Sequence, residues 1–333
     1  MPGSAGMYTI LRRSLRTIAV LSTLGGCGLF GDGDESDSGG LTGAGTDGWT
    51  EPPTTGIEPT GADNTLPDDE LCPCVADNED IYLLSDYGEI WSFDPDTLDF
   101  TFITAVVCGG MTDTFSMGVS RKGRAWIEYF SGDIYTLDLK DPDAACKDPG
   151  FVNDDPLFPN FGMAFVGNSA TDRCDKLYVH SGISPDLSGD DIGALGVIDP
   201  QTLKIGHVAP IDYAWGELAG TGDGRLFALE GYSPPVLSEY DKDTGAIKGS
   251  RALPGLGELD AFAFAFWGGQ FYFFTTPDPP TGFSRVVSYD FYAQGAELTT
   301  IVEQAPIRIV GAGVSTCAPP CSHDRASCPG TPP

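Results

Sequence analysis

Basic residues are scarce in this 333-residue chain. Lys and Arg together number 18 against 48 Asp and Glu, which gives a formal net charge of −30 at pH 7. A surface with this excess of negative charge repels the phosphate backbone of nucleic acids, so we exclude nucleic acid as a partner. The same charge favours solubility and attracts cations.

Long hydrophobic runs, helical periodicity and catalytic motifs are also missing. The apolar run near the N-terminus, residues 17–24, is far shorter than the ~20 residues that a membrane-spanning helix needs. The sequence contains no G-x-S-x-G, no H-E-x-x-H and no glycine-rich phosphate loop at a strand–helix junction. We therefore assign no catalytic residue, no metal and no cofactor from motifs.

The N-terminus has the features of a bacterial secretory signal. Arg12, Arg13 and Arg16 precede the apolar run, which ends in Leu24-Gly25-Gly26-Cys27. This tetrapeptide resembles the lipobox of bacterial lipoproteins. The resemblance implies that residues 1–26 form a signal peptide and that Cys27 carries a diacylglycerol and an acyl chain such as palmitate. The alternative is a plain secretory signal with a chance cysteine at its end.

Export and membrane attachment follow from that resemblance. The lipid on Cys27 would anchor the protein to the membrane. Gly28 stands after the cysteine where Asp would favour the inner membrane. By resemblance to lipoprotein sorting in Gram-negative bacteria, we expect the outer membrane, on its periplasmic side or at the cell surface.

The composition divides the rest of the chain into three parts. Residues 27–70 are rich in Gly, Thr, Pro, Ser and acidic residues and contain no Lys or Arg. Such a segment cannot bury enough apolar surface to offset its chain entropy, so we expect a disordered linker. Residues 71–318 should form the folded domain, and residues 319–333 a Cys- and Pro-rich tail.

A strand pattern recurs in the folded domain at intervals of about 45–50 residues. Each copy places an aromatic residue between smaller apolar ones, at Tyr82, Trp126, Tyr178, Phe227 and Tyr272. The next strand along the chain ends in an apolar residue and an aspartate. Because an aspartate side chain can bond to the backbone that follows it, we interpret these residues as turn formers. They are Asp94, Asp138, Asp199, Asp241 and Asp290.

A strand of small residues precedes four of the aromatic strands, and a fifth copy, residues 311–313, stands alone near the C-terminus. Five short antiparallel sheets of this period resemble the blades of a β-propeller, where small residues suit the crowded axis and aromatic residues fill the wedge between blades. We therefore predict an all-β, five-bladed β-propeller closed by pairing of the C-terminal strand with the first blade. The alternative, a large β-sandwich, does not explain the orphan strand.

The cysteine count supports export. Assigning Cys27 to the lipid leaves an even number of the nine cysteines, as an oxidising compartment favours. The closing strand and the first aromatic strand lack a connecting hairpin, and Cys317 and Cys74 lie where its two arms would be. We expect the disulfides Cys74–Cys317, Cys72–Cys321 and, from neighbouring repeats, Cys108–Cys146. The cysteine spacings do not match paired C-x-x-C zinc sites.

The loops ahead of the small-residue strands should meet around the channel mouth of the propeller. Their acidic and aromatic side chains suit a cation, a sugar or a peptide, and Glu217 is the one ionisable residue on the inner strands. The candidate ligand-binding residues are Asp113, Asp212, Trp215, Glu217, Asp260 and Arg308. We predict a binding or scaffold module for an unknown protein, glycan or small molecule. The alternative is a carbohydrate- or lactone-active enzyme that uses the mouth loops.

Overall fold

The computed structural model describes residues 72–143, 145–172, 174–181, 192–199, 202–231 and 234–321. The predicted signal peptide, Cys27, the predicted linker and the tail beyond residue 321 lie outside the described residues. Within these ranges the chain forms strands and one short 3-10 helix, Pro254–Leu256. No helix in the described part is long and apolar enough to cross a membrane.

The strands of the described residues are short, as expected for a propeller. In chain order they are β1 (Ile81–Ser85), β2 (Glu89–Phe93), β3 (Phe100–Ala105), β4 (Thr114–Val119), β5 (Arg124–Tyr129), β6 (Ile134–Asp138), β7 (Phe161–Gly167), β8 (Asp175–Ser181), β9 (Gly193–Ile198), β10 (Ile205–Ile211), β11 (Gly216–Gly220), β12 (Leu226–Glu230), β13 (Val236–Tyr240), β14 (Ile247–Ala252), β15 (Leu259–Trp267), β16 (Gln270–Pro277), β17 (Arg285–Asp290), β18 (Thr299–Val302) and β19 (Ile309–Val314).

These strands form five antiparallel sheets, each of which is one blade. From the inner to the outer strand, blade 1 is β19-β1-β2-β3, blade 2 is β4-β5-β6, blade 3 is β7-β8-β9-β10, blade 4 is β11-β12-β13-β14 and blade 5 is β15-β16-β17-β18. Each inner strand contacts the inner strands of both neighbouring blades, which closes the ring. The predicted five-bladed β-propeller is confirmed.

The ring closes through the unpaired small-residue strand near the C-terminus, as predicted from the sequence. β19 pairs antiparallel with β1 and places Gly313 opposite Tyr82. The disulfide Cys74–Cys317, with a Cα–Cα distance of 5.9 Å, takes the place of the missing hairpin, and this prediction is confirmed. Cys108–Cys146 is confirmed as well, with a Cα–Cα distance of 5.6 Å.

The predicted Cys72–Cys321 bond is wrong, because Cys72 is bonded to Cys174 at a Cα–Cα distance of 5.2 Å. Cys321 is also disulfide-bonded. The reason lies in the neighbour of Cys174. Asp175 accepts the backbone N–H of Arg121 at 2.9 Å and the hydroxyl of Thr316 at 3.1 Å, which draws the start of β8 toward the closing strand and hence toward Cys72.

Each gap between neighbouring blades contains one hydrophobic cluster. For example, Tyr272 of blade 5 packs with Leu83 and Ile309 of blade 1. The repeated aromatic residues lie in these gaps, buried except for the partly exposed Trp126. The inner strands approach so closely that a Cβ on Gly162 would lie 2.1 Å from the carbonyl oxygen of Gly216. Small residues on the inner strands are therefore a steric requirement, as the repeat predicted.

The five repeat aspartates form turns, as predicted. The carboxylate of each accepts a backbone N–H from a residue two or three positions later in the chain. The bonds run from Asp96 and Thr97 to Asp94, from Lys140 to Asp138, from Thr202 to Asp199, from Asp243 and Thr244 to Asp241, and from Tyr292 and Ala293 to Asp290.

Candidate functional site

We define the mouth face as the end of the propeller where the inner strands begin. The second strand from the axis in each blade (β1, β5, β8, β12 and β16) ends at this face. The antiparallel pairing of β4 with β5 brings Ser116 opposite Glu128 there, and β7 with β8 brings Gly162 opposite His180. All six predicted ligand-binding residues lie at or just before the start of an inner strand. They therefore share this face, but its geometry divides them into separate groups.

The central channel is narrow among the later residues of the inner strands. Its walls there come from all five inner strands, and the space among Val119, Phe165, Ala219, Phe266 and Val314 is about 10 Å³. That volume is close to the minimum for one water molecule, so no larger ligand fits at this level of the channel.

Glu217 is a buried residue rather than an open ligand group. Only 8% of it is exposed, and its Oε2 accepts the hydroxyl of Ser116 at 2.9 Å. Burial raises its pKa well above the ordinary value of 4.5. A carboxyl group in this state favours its neutral form and is a poor ligand for a cation.

The sequence prediction missed the neighbour of Glu217. Glu128, on the second strand β5, is fully buried, and both of its carboxylate oxygens accept the N–H of Phe161 at 3.2 Å. Burial raises its pKa well above 4.5, and the nearby charge of Glu217 adds to that shift. The available signal was an acid between apolar residues, Ile127 and Tyr129, in the strand Arg124–Tyr129.

A second buried polar cluster lies between blades 3 and 4. His180 Nε2 is 3.1 Å from Glu230 Oε2, and the hydroxyl of Tyr240 donates to both oxygens of Glu230 at 3.0 and 3.1 Å. Because His180 Nδ1 lies 3.0 Å from the carbonyl oxygen of Ser181, Nδ1 donates to that oxygen, and Nε2 faces Glu230. Burial, followed by the charge of Glu230, raises the pKa of Tyr240. This cluster joins the two blades.

Asp260 and Arg308 are brought together, but as partners of each other. Arg308 Nη2 lies 2.7 Å from Asp260 of blade 5, and Nη1 lies 3.0 Å from Asp86 of blade 1. The guanidinium therefore bridges the seam where the ring closes. The charge of Asp260 is already compensated, whereas Asp113 and Asp212 are exposed on blades 2 and 4.

Trp215 is the predicted residue best placed for binding. Its side chain is 40% exposed, although its backbone has a φ of 61°. A bulky residue in the left-handed region costs of order 1–3 kcal/mol, and such strain persists where the surrounding structure holds it. Its N–H donates to the carbonyl oxygen of Ser181 at 3.2 Å, which fixes the turn.

Other exposed apolar side chains lie on the mouth face at hairpin tips and loops. Tyr87 is 76% exposed on the β1–β2 hairpin and Phe130 is 60% exposed on the β5–β6 hairpin. Phe130 packs edge-on against Phe115, with 5.1 Å between ring centroids. Val107 and Phe283 add exposed apolar surface in the β3–β4 and β16–β17 connections. The sequence prediction missed the hairpin residues Tyr87, Phe130 and Phe283 because it considered only the residues just before the inner strands.

Metal ligation has no support in this part of the molecule. Among the described residues, no group of three or more His, Cys, Asp or Glu side chains converges in a way that could hold a metal ion.

No protein-family model matches the chain, and no curated protein matches it. Among solved structures, an engineered GH43 glycoside hydrolase with endo-xylanase and exo-arabinofuranosidase activity is 13% identical, with a TM-score of 0.40, over 57% of this chain and 42% of that one. The hydrazine synthase of Kuenenia stuttgartiensis is 14% identical, with a TM-score of 0.37, over 67% of this chain and 65% of that one. The chain spans less than two thirds of either structure. Similarity this weak carries no functional argument, and the propeller assignment rests on the chain's own sheet topology.

Proposed function

We propose that this protein is an exported lipoprotein, held to the outer membrane through lipid on Cys27, whose propeller binds an extracytoplasmic partner on its mouth face. The sequence Leu24-Gly25-Gly26-Cys27 supports the anchor by its resemblance to a lipobox. The disulfides of the folded domain support an oxidising compartment.

The observation that carries the binding role is the exposed, strained Trp215, on the same face as Tyr87 and Phe130. Exposed aromatic side chains provide a large apolar contact area at low entropic cost, which is why they concentrate in binding surfaces. The partner would contact the rim and the hairpin tips, where these side chains are exposed.

An enzyme of carbohydrate or lactone type would need carboxyl groups that reach a substrate. Glu128 is 0% exposed and Glu217 is 8% exposed, and both are held by hydrogen bonds to the protein. Asp113 and Asp212 are exposed on the mouth face but lie on separate blades. We therefore favour the binding module.

The anchor is tested by the Cys27→Ser variant in membrane fractions. Several tens of buried methylenes at ~0.8 kcal/mol each would hold the native protein permanently to the membrane, so the variant should move to the soluble fraction. The Cys108→Ser/Cys146→Ser variant is the matched control and should stay in the membrane. A native protein whose mass shows no lipid on Cys27 would refute the anchor.

The binding face is tested by site-specific photocross-linking in cells. A photoreactive residue placed at Phe130 or Trp215 should produce the same discrete cross-linked product. The control position is Phe102, a 49% exposed aromatic residue on the outer strand β3, which should give no such product. Equal products from Phe102 and from the mouth positions would contradict a specific binding face.

A further inference from the structure

A groove of about 540 Å³ runs along the side of the propeller where the ring closes. One wall is formed by β2, β3 and the turn between them, and the other by the β16–β17 and β18–β19 connections. Trp91, Phe100 and Phe283 line it with aromatic rings, and Asp99 and Gln304 supply polar groups. It is open to solvent along its length, and its walls combine aromatic rings with a few polar groups that could orient a ligand.

Two of the rings are held by packing within blade 1. The indole N–H of Trp91 donates to Glu89 Oε2 at 3.2 Å, and its ring packs edge-on against Phe102 with centroids 5.4 Å apart. Phe100 lies 4.9 Å from the fully buried ring of Phe93. Rings that are already oriented lose little freedom when a ligand binds.

The backbone beside the third ring, Phe283, is held by Ser284. The carbonyl oxygen of Ser284 accepts the N–H of Ala305 at 2.7 Å, and its own N–H donates to the carbonyl oxygen of Ile307 at 3.1 Å. Its hydroxyl accepts the N–H of Ile309 at 2.9 Å. These bonds join the β16–β17 and β18–β19 connections, which form the second wall, to each other and to the closing strand β19. The Phe283 ring itself is 41% exposed.

The tryptophan is specific to blade 1. In each blade, the residue after the repeated aromatic residue pairs with one residue of the third strand from the axis. In blade 1 this partner is Trp91, which pairs with Leu83. In blades 2 to 5 the equivalent residues are Tyr135, Gly196, Ser238 and Val287. Because this position differs in every blade, blade packing does not require a tryptophan there, and Trp91 is free to serve the groove.

The charge of the groove restricts the class of ligand. Within the described part of the chain no Lys, Arg or His lines the groove, and the whole chain carries a net charge of −30. An anionic ligand would be repelled. Flat aromatic walls suit a ring with an apolar face, and the Asp99 carboxylate and the Gln304 amide can accept from or donate to hydroxyl groups.

We propose that the seam groove between Trp91, Phe100 and Phe283 binds a neutral saccharide. The sugar ring stacks on the aromatic walls, and its hydroxyl groups bond to Asp99 and Gln304. This site is separate from Trp215 and Phe130 on the mouth face, so either proposal can fail alone.

The test is calorimetric titration of the full-length protein with neutral hexasaccharides of β-1,4-linked glucose, xylose and N-acetylglucosamine, and with a hexauronate as an anionic probe. At least one neutral probe should bind saturably, and the hexauronate should bind more weakly at low salt. Trp91→Ala should weaken the neutral probe about tenfold, the loss of one aromatic stacking contact. Trp91→Phe should keep most of the affinity, and Ile247→Ala, a control at a 40% exposed apolar residue on the outer strand β14, should bind like the wild type.

Three results would overturn the proposal: no neutral probe binds the wild type, Trp91→Ala binds as tightly as the wild type, or the hexauronate binds best. If Trp91→Ala does not fold, the exposed positions carry the same test. Asp99→Asn and Gln304→Ala should each weaken the neutral probe several-fold, and unchanged affinity in both variants would equally overturn the proposal.

Discussion

The disulfide that closes the ring offers the sharpest test of the architecture. In the Cys74→Ala/Cys317→Ala variant, β19 is held against β1 by strand pairing and side-chain packing alone. The bond spans a sequence separation of 243 residues, for which the loss of loop-closure entropy in the unfolded chain corresponds to about 5 kcal/mol. At about 2–4 °C per kcal/mol for a domain of this size, the melting temperature should fall by about 10–20 °C.

The matched control is Cys108→Ala/Cys146→Ala, whose bond spans 38 residues and is worth about 4 kcal/mol on the same model. The two variants differ most in where the molecule opens. Hydrogen exchange in the closure variant should accelerate first in β19 and β1, whereas the control should leave those strands protected. Unchanged urea stability of the closure variant, or equal exchange in β19 in both variants, would refute the closure argument.

Two further predictions concern the inner strands and the buried acids. Gly162→Ala should lower the free energy of unfolding by about 1–3 kcal/mol, because its Cβ would lie 2.1 Å from a backbone oxygen. The control is Gly206→Ala, whose Cβ would lie 3.7 Å from its nearest neighbour and should change the free energy little. Equal urea midpoints for the two variants would contradict the steric argument. Burial raises the pKa of Glu128 and Glu217 above 4.5 in the folded state, so their contribution to stability is present below pH 4.5 and is lost as the pH rises through the folded pKa. Glu217→Gln should therefore gain stability relative to the wild type between pH 4.5 and pH 8, and a constant difference over that range would show that Glu217 titrates normally.

Much of the fold could be predicted because the repeat expresses steric rules that act locally. Gly162 is small because the next blade leaves no room for a side chain, and Asp199 caps its turn through a bond to a residue three positions away. The orphan strand Ile309–Val314 could pair with only one partner that lacked an inner strand, and this also identified Cys74–Cys317.

The remaining features depend on contacts between blades, which a repeat does not encode. Cys72 meets Cys174 because Asp175 is bonded to Thr316, far away in sequence. Glu128 is bonded to Phe161 of the next blade, and His180 contacts Glu230 of the next blade. Glu217 lies near the start of the inner strand β11, and its burial depends on Ser116 of another blade.

The mouth face as a binding surface is the central claim, and hydroxyl-radical footprinting measures it most directly. The full-length protein should be footprinted in native membranes and after purification, and the oxidation of individual aromatic side chains compared. The account predicts that Trp215, Tyr87 and Phe130 are protected in the native membrane relative to the purified protein, while Phe102 reacts equally in both. Equal reactivity of Trp215 and Phe130 in the two preparations, or protection of Phe102 to the same degree, would contradict it.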